Sequence, residues 1–199
     1  MGGGTAGGVG AMADAQSVET QAGAEADDAG SPWAPIIHRA LVAADVRQAT
    51  YVPDAGHARL IQLLRATPSI VTTVLTTEEE GIAMAAGAWA GGQRSVLLMQ
   101  SSGVGNCINM LSLIASCHMP FLTVVTMRGE YSEFNPWQAP MGRATETVLQ
   151  AMGVQTVRVE RLDDLEDLMA SATTMAFESD QAVAIILSQR LLGAKKWVK

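Results

Sequence analysis

Apolar runs alternate with segments of helical periodicity along most of this chain, and this alternation limits the folds that it can adopt. Several of the runs are continuous, which is typical of strands that are buried on both faces of a parallel sheet. Six strands are predicted, at residues 50–52, 70–75, 95–100, 121–127, 155–159 and 182–187. We therefore expect an α/β fold, a single doubly wound domain in which a six-stranded parallel sheet is flanked by helices.

Helices are predicted before the first strand and between successive strands, where apolar residues recur every three or four positions. They occupy residues 35–45, 57–64, 78–90, 104–117, 144–152 and 163–177. The connection at residues 128–142 is longer than most joints between a strand and a helix. A connection of this length is usually functional or lies at an interface.

The composition suits one globular domain that is preceded by a disordered segment. The chain has 199 residues, of which 48% are hydrophobic and 17% are charged, enough to bury a full core. Residues 1–31 are rich in Gly, Ala and acidic side chains and poor in large apolar groups, so we expect a disordered tail there. The domain is predicted to span residues 32–192, and residues 193–199 are expected to form a C-terminal tail.

Most of the net charge of −7 lies in the first thirty residues. Residues 1–30 carry five acidic and no basic residues, whereas the remainder carries 13 basic and 15 acidic residues. A nearly neutral body without a basic patch argues against nucleic acid as the main partner. No apolar run reaches the roughly 18 residues of a membrane-spanning helix, and the N-terminal residues lack the pattern of a signal peptide. We therefore expect a cytoplasmic protein without a membrane segment.

The cysteine and histidine residues indicate neither a disulfide nor a metal site. Cys107 and Cys117 are predicted on one helix, where ten residues place them about 15 Å apart, too far for a disulfide. The three histidines show no metal-ligand spacing with each other or with the cysteines, so we predict no metal bound by this chain. A Gly-x-Ser-x-Gly motif is also absent, which disfavours a serine hydrolase.

Three consecutive glutamates open the helix that is predicted at residues 78–90. Thr77 and Glu80 fit a capping box, in which Glu80 would return to the backbone amide of Thr77. Glu79 gains from the positive end of the helix dipole. Capping alone would account for such a cluster. The residues that follow are mostly Ala and Gly, however, so another surface could approach this helix closely.

The predicted strand at residues 95–100 ends in a polar, glycine-rich turn, residues 100–106. The turn lacks the Lys-Ser/Thr of a P-loop and the third glycine of a dinucleotide fingerprint, so a phosphate site is disfavoured. A tight turn that presents its polar side chains to a neighbouring pocket is favoured. Because the carboxyl ends of parallel strands lie at one edge of the sheet, where ligands bind, we expect this turn to lie near Glu78.

Two further candidates follow other strands at this edge. His57 comes shortly after the first strand, and its position is compatible with a site residue or with an ordinary surface turn. Arg128 follows the fourth strand, where it could bind an anion or form a solvated pair with Glu130.

Taken together, residues 33–192 resemble the pyrimidine-binding (PYR) domain of thiamine diphosphate enzymes. Within that group they are most similar to the sulfopyruvate decarboxylase alpha subunits and to the matching half of the phosphonopyruvate decarboxylases. Five segments carry the resemblance: Val52-Pro53-Asp54, Glu78 with Ala85-Ala86-Gly87, Met99-Gln100-Ser101-Ser102-Gly103-Val104-Gly105-Asn106, Arg128-Gly129-Glu130 and Gln138-Ala139-Pro140-Met141-Gly142. The resemblance implies the PYR type of the thiamine diphosphate-binding fold.

The resemblance also assigns roles to single residues. Glu78, nine residues before Gly87, would be the catalytic residue and would contact N1′ of the cofactor's aminopyrimidine. Five other residues would lie beside the cofactor: Gln100, Ser101, Ser102, Gly103 and Asn106. The substrate end would be lined by Asp54, His57, Arg128 and Gln138, with Arg128 a candidate for binding the distal anion of the substrate.

The implied function is that of the pyrimidine-binding subunit of a thiamine diphosphate-dependent 2-oxo acid decarboxylase. Sulfopyruvate, converted to sulfoacetaldehyde and CO₂, is the expected substrate. The alternatives are phosphonopyruvate or another 3-substituted pyruvate, or a non-catalytic regulatory subunit with the same fold. A flavodoxin-like nucleotide-binding module is disfavoured by the missing phosphate fingerprints.

The resemblance further implies a partner. In such enzymes a Gly-Asp-Gly motif, followed by an Asn, holds the Mg²⁺ ion and the diphosphate, and this motif does not occur in the sequence. A second subunit with the diphosphate-binding domain would therefore hold both in a hetero-oligomer.

Overall fold

The computed structural model describes residues 31–193, and within them six strands form one parallel sheet. The strand order is β2-β1-β3-β4-β6-β5. The strands are β1 (Val46–Tyr51), β2 (Val71–Val74), β3 (Arg94–Gln100), β4 (Phe121–Thr126), β5 (Gln155–Val159) and β6 (Ala182–Leu187). This confirms the predicted α/β fold, whereas the tails predicted at either end lie almost entirely outside the described residues.

Helices connect successive strands and cover both faces of the sheet. They are α1 (Trp33–Ala43), α2 (Ala58–Arg65), α3 (Glu78–Ala90), α4 (Ser101–Cys107), α5 (Leu111–Cys117), α6 (Ala139–Ala151), α7 (Leu165–Glu178) and α8 (Gln189–Leu192). Short 3₁₀ turns lie at Ala55–His57, Pro136–Gln138 and Leu162–Asp164. Between residues 31 and 193, no helix combines the length and the apolar character that crossing a bilayer requires.

Strand β3 explains why the apolar runs are continuous. Val96 and Leu98 belong to one core cluster, together with residues of α1, α2 and α7. Leu97 and Met99 point the other way, into a second cluster with residues of α3, α4, α5 and α6. All four are at most 1% exposed, because both faces of the strand are covered.

The strand order reverses direction between β1 and β3. From β1 the chain proceeds outward to β2, then crosses to β3 on the other side of β1. Such a switch point leaves a crevice at the carboxyl ends of the two strands, where open α/β sheets bind their ligands. Residues after β1 and at the end of β3 therefore face the same crevice.

Several predicted boundaries are wrong. The segment predicted as one helix at residues 104–117 is two helices, α4 and α5, so Cys107 and Cys117 do not share a helix. The turn expected at residues 100–106 is mostly helical, since α4 begins at Ser101. Strand β1 begins four residues earlier than predicted. Helix α6 begins at Ala139, because Pro140 lies in its first turn, where a missing amide proton costs nothing.

Candidate active site

Glu78 and the first turns of α4 meet at the carboxyl edge of the sheet. The Asn106 amide donates a hydrogen bond of 2.8 Å to Glu78 Oε2. The Glu78 carboxyl group also lies directly over Gly103, where a Cβ would be only 2.5 Å from Glu78 Cδ. Glu78 is half-buried, whereas Glu79 and Glu80 are exposed. The three glutamates therefore have different surroundings, and only Glu78 reaches the glycine-rich segment.

The start of α3 differs from the predicted capping box. The Thr77 side chain makes no capping hydrogen bond, although its backbone is extended, as an N-cap requires. Glu80 Oε2 accepts a hydrogen bond of 2.9 Å from the backbone amide of Thr76, not of Thr77. Glu80 therefore makes the side-chain hydrogen bond to the backbone that precedes the helix. Glu78 is not needed for that bond.

Asp54 is the centre of a second hydrogen-bond network at this edge. Gln100 Nε2 donates to Asp54 Oδ1 at 3.0 Å, and Thr126 Oγ1 donates to Asp54 Oδ2 at 3.2 Å. Gln100 Oε1 in turn accepts a hydrogen bond of 2.9 Å from Ser102 Oγ. The network therefore connects residues predicted at the cofactor end with a residue predicted at the substrate end.

His57 lies beside Asp54 in the interior. It is 1% exposed, so the alternative of an ordinary surface turn is wrong. Its Nδ1 is 3.6 Å from Asp54 Oδ2, and its ring packs edge-on against Trp33, with 6.2 Å between the ring centroids. Its Nε2 is buried and has no hydrogen-bond partner among the described residues. Buried polar atoms usually have a partner, so this nitrogen is suited to a polar ligand.

The predicted connection at residues 128–142 is a compact loop whose ends touch. Gly129 has a positive φ of 80°, and a Cβ there would lie 2.6 Å from the Gln138 carbonyl carbon. A Cβ on Gly142 would lie 2.9 Å from Gly129 Cα. Only glycine permits both approaches, and closed loops of this kind are frequently functional. Gln138 Oε1 is buried at this neck, without a hydrogen-bond partner among residues 31–193.

Arg128 holds this loop through an ion pair with Glu133. Its Nε and Nη2 donate to the two carboxylate oxygens at 2.6 and 2.5 Å, and both side chains are at most 10% exposed. The hydrogen bond from Arg128 lowers the pKa of Glu133 to about 2, and the backbone amides of Asn135 and Gly129 add to the effect. Glu130 instead pairs with Arg158 at 2.6 Å, so the predicted solvated pair of Arg128 with Glu130 is wrong.

This pair gives Arg128, expected to bind the distal anion of a substrate, a partner inside the loop. The Nε and Nη2 side of its guanidinium donates to Glu133. Ser101, expected beside the cofactor, also has an internal partner. It is 0% exposed, and its hydroxyl accepts a hydrogen bond of 3.0 Å from the Arg128 backbone amide. Its side chain therefore joins the start of α4 to the beginning of the loop.

Two residues that the sequence analysis did not single out complete these networks. Thr126 ends β4 and binds Asp54. Gln189 begins α8 and is 1% exposed; its Oε1 accepts hydrogen bonds from the amides of Glu130 and Tyr131, and its Nε2 donates to Glu133. The sequence could have identified both residues, since each is a polar residue at or just after the carboxyl end of an apolar strand.

No cluster of three His, Cys, Asp or Glu side chains that could hold a metal ion occurs in residues 31–193. The site consists instead of one half-buried carboxylate, Glu78, and one almost buried carboxylate, Asp54, joined to neighbouring amides and hydroxyls. Such an arrangement can hold a proton at a defined position and orient a small polar ligand.

Comparison with known proteins identifies relatives of the chain, although no protein-family model matches it. It is 32% identical over 152 residues to the alpha subunit of sulfopyruvate decarboxylase from Methanothermobacter thermautotrophicus, over 76% of this chain and 92% of that subunit. It is 28% identical over 145 residues to phosphonopyruvate decarboxylase from Streptomyces viridochromogenes, over 71% of this chain and 36% of that protein. Among solved structures, a 2-oxoglutarate:ferredoxin oxidoreductase from Magnetococcus marinus shares the fold, with a TM-score of 0.66 and 17% identity over 80% of this chain and 29% of that chain.

Proposed function

The chain belongs to the family of sulfopyruvate decarboxylase alpha subunits, and we propose that it is the pyrimidine-binding subunit of a thiamine diphosphate-dependent decarboxylase that converts sulfopyruvate to sulfoacetaldehyde and CO₂. One observation carries the proposal beyond the family likeness. Glu78 stands at the start of α3 with its carboxylate turned onto Gly103 and bonded to Asn106, not used as a helix cap.

The surroundings of Glu78 suit the aminopyrimidine end of thiamine diphosphate. Asn106 fixes Oε2, whereas no hydrogen bond from the described residues reaches Oε1. Glu78 would share a proton with N1′ of the ring, and Gln100, Ser102, Gly103 and Asn106 would lie beside it. When bound, thiamine diphosphate supplies the carbanion stabilisation that decarboxylation needs, and the protein supplies position and protonation state.

Asp54, His57 and Gln138 are proposed to face the substrate. Their support is His57 Nε2, a buried nitrogen without a hydrogen-bond partner among the described residues, which as an N–H could donate to an oxygen of a 2-oxo acid. Gln138 could donate to the same kind of oxygen through its amide nitrogen. Arg128 contributes indirectly, since with Glu133 it holds the loop that carries Gln138.

A second subunit is proposed to hold the diphosphate and Mg²⁺. Beyond its first turn, where Glu79 and Glu80 are exposed, the exposed positions of α3 are the small residues Ala83, Gly87 and Ala90, so a partner surface can approach it closely. Trp137, on the loop, is 84% exposed, and tryptophan is enriched where proteins associate. Both features lie on segments that border the proposed site.

Phosphonopyruvate is the second candidate substrate. The observation that favours it is the 28% identity to a phosphonopyruvate decarboxylase. Both acids carry a second anion at carbon 3, so the two candidates share most of their chemistry.

The test is decarboxylase activity of the complex with its second subunit, whose gene is expected beside that of this chain and should encode Gly-Asp-Gly. We expect the complex with thiamine diphosphate and Mg²⁺ to release CO₂ from sulfopyruvate, and the isolated chain to show no activity. Turnover of phosphonopyruvate alone would select the second candidate.

Glu78→Gln tests the role of the carboxylate, and Glu79→Gln, at the exposed neighbouring position, is the matched control. Glu78→Gln should lower kcat by a hundredfold or more, since a positioned proton-transfer group contributes about 10²–10⁴-fold. Glu79→Gln should leave kcat within about twofold, because surface substitutions seldom have large effects. A fully active Glu78→Gln complex would instead indicate a non-catalytic regulatory subunit.

A further inference from the structure

We propose that Thr126 is a positioning residue, which holds the Asp54 carboxylate in one orientation at the substrate end of the site; this rests on the proposed function of Asp54. Thr126 is the last residue of β4 and is 2% exposed. Its hydroxyl donates to Asp54 Oδ2 at 3.2 Å, across 72 residues of sequence.

The sheet register explains why this contact forms. Thr126 is the register partner of Gln100 at the ends of β4 and β3, so the two side chains lie side by side. Gln100 donates to Asp54 Oδ1 and Thr126 to Oδ2. Each carboxylate oxygen is thus held by a different strand, which prevents the group from rotating freely.

Gly56 provides a second, independent observation. A Cβ at residue 56 would lie 2.7 Å from Asp54 Oδ2 and 3.1 Å from Thr126 Oγ1. A side chain there would push the two atoms apart. The chain therefore leaves space at the point where Thr126 and Asp54 meet.

Thr123 is a second buried threonine on this strand, and its hydroxyl does not bind a carboxylate. It is 0% exposed, three residues earlier on β4, and its hydroxyl donates to the Leu97 carbonyl at 2.8 Å. That bond joins β4 to β3 within the sheet and does not involve Asp54. Thr123 is accordingly a matched control, equal in residue type, strand and burial.

The experiment compares Thr126→Val with Thr126→Ser and Thr123→Val in the complex of the chain with its second subunit. Valine keeps the shape of threonine but cannot donate a hydrogen bond. We expect Thr126→Val to lower kcat about ten- to a hundredfold with little change in KM, because small misplacements of a site group can cost about 10²-fold. Thr126→Ser should recover most of kcat, and Thr123→Val should lower stability without changing kcat.

A second readout does not depend on activity. In the isolated, ¹³C-labelled chain, the carboxyl carbon resonance of Asp54 should shift in Thr126→Val and remain in place in Thr123→Val. Gly56→Ala is a positive control and should move the same resonance, because its Cβ would lie 2.7 Å from Asp54 Oδ2.

Wild-type kcat together with an unshifted Asp54 resonance in Thr126→Val would overturn the inference, as would failure of Thr126→Ser to recover kcat. Equal loss of kcat in both valine variants would also overturn it. If the wild-type complex decarboxylates no 2-oxo acid, the proposed function fails, and the Asp54 resonance alone then decides whether Thr126 positions that carboxylate.

Discussion

The carboxyl group of Glu78 fills the space that a side chain at residue 103 would occupy. A Cβ built on Gly103 would be 2.5 Å from Glu78 Cδ, closer than real Cβ contacts occur. Gly103 is buried, whereas Glu78 is half-buried and meets it with the end of a long side chain. Glycine at residue 103 therefore permits Glu78 to lie where it does, beside Asn106.

Gly103→Ala should displace the Glu78 carboxylate and lower the activity of the complex at least tenfold. The unfolding free energy should change by no more than about 1 kcal/mol, since alanine favours helix by about that amount over glycine. The control is Gly105→Ala in the same helix, where the new Cβ would be at an ordinary 3.5 Å from Met141 Sδ. Steady-state kinetics and urea unfolding of both variants provide the measurements. Equal activities would show that Glu78 tolerates displacement.

Stability should depend on the ionisation of Glu133. The pKa of Glu133 is lowered to about 2 in the folded chain, chiefly by the hydrogen bond from Arg128. Because the unfolded chain protonates this carboxylate at a higher pH, the stabilisation is present above about pH 4.5 and is lost as pH falls toward 2.

Glu133→Gln should therefore lower the unfolding free energy at pH 7 and flatten its dependence on pH between about 4.5 and 2. The control is Glu160→Gln, because the Glu160 side chain is 63% exposed and its pair with Arg158 contributes little. Urea unfolding at several pH values measures both effects. Parallel curves for wild type and Glu133→Gln would contradict the assignment.

Arg128→Lys should lower turnover equally for every acid that the complex accepts. Lysine cannot reproduce the paired donors of the guanidinium, so the Glu133 ion pair and the loop would be disturbed. The measurement is kcat/KM for sulfopyruvate and for pyruvate. Glu133→Gln should reproduce the pattern, since it breaks the same pair. A loss confined to sulfopyruvate would instead place Arg128 in contact with the distal anion.

The two cysteines should differ in reactivity toward thiol reagents at neutral pH. Burial raises the pKa of the Cys107 thiol to about 12, and the charges of Glu78 and Glu79 add to this effect. Cys117 is exposed. Because the thiolate is the reactive form, one thiol should be labelled in the folded chain and two after unfolding. Mass spectrometry of wild type and Cys117→Ser measures the labelling; any modification of Cys107 in the folded chain would contradict the expectation.

Much of the fold and part of the site could be predicted from the sequence, because they depend on local patterns. The six strands and their parallel arrangement follow from apolar runs separated by helical segments. The proximity of Glu78 to the segment around Gly103 follows from the rule that parallel strands end at one edge. Boundaries are harder to predict, since the local pattern indicates a loop at Pro140, which instead lies in the first turn of α6.

The partners of polar side chains could not be predicted in the same way. The sequence pattern predicts that Arg128 faces an anion or Glu130, and it binds Glu133 instead because the neck of Gly129 and Gly142 folds the loop back. Ser101 lies in a motif that suggests a ligand contact, yet its hydroxyl is used within the interior.

By itself, the sequence determined the order of helices and strands, the parallel sheet and the edge at which the candidate residues collect, since these depend on apolar periodicity over a few neighbouring residues. Only the tertiary structure decided which group donates a hydrogen bond to each carboxylate. Thr126 and Asp54, or Gln189 and Glu133, lie more than fifty residues apart and meet through strand register and loop closure. A hydrogen bond needs its two atoms within about 3 Å, and spacing along the chain cannot specify such distances between remote segments.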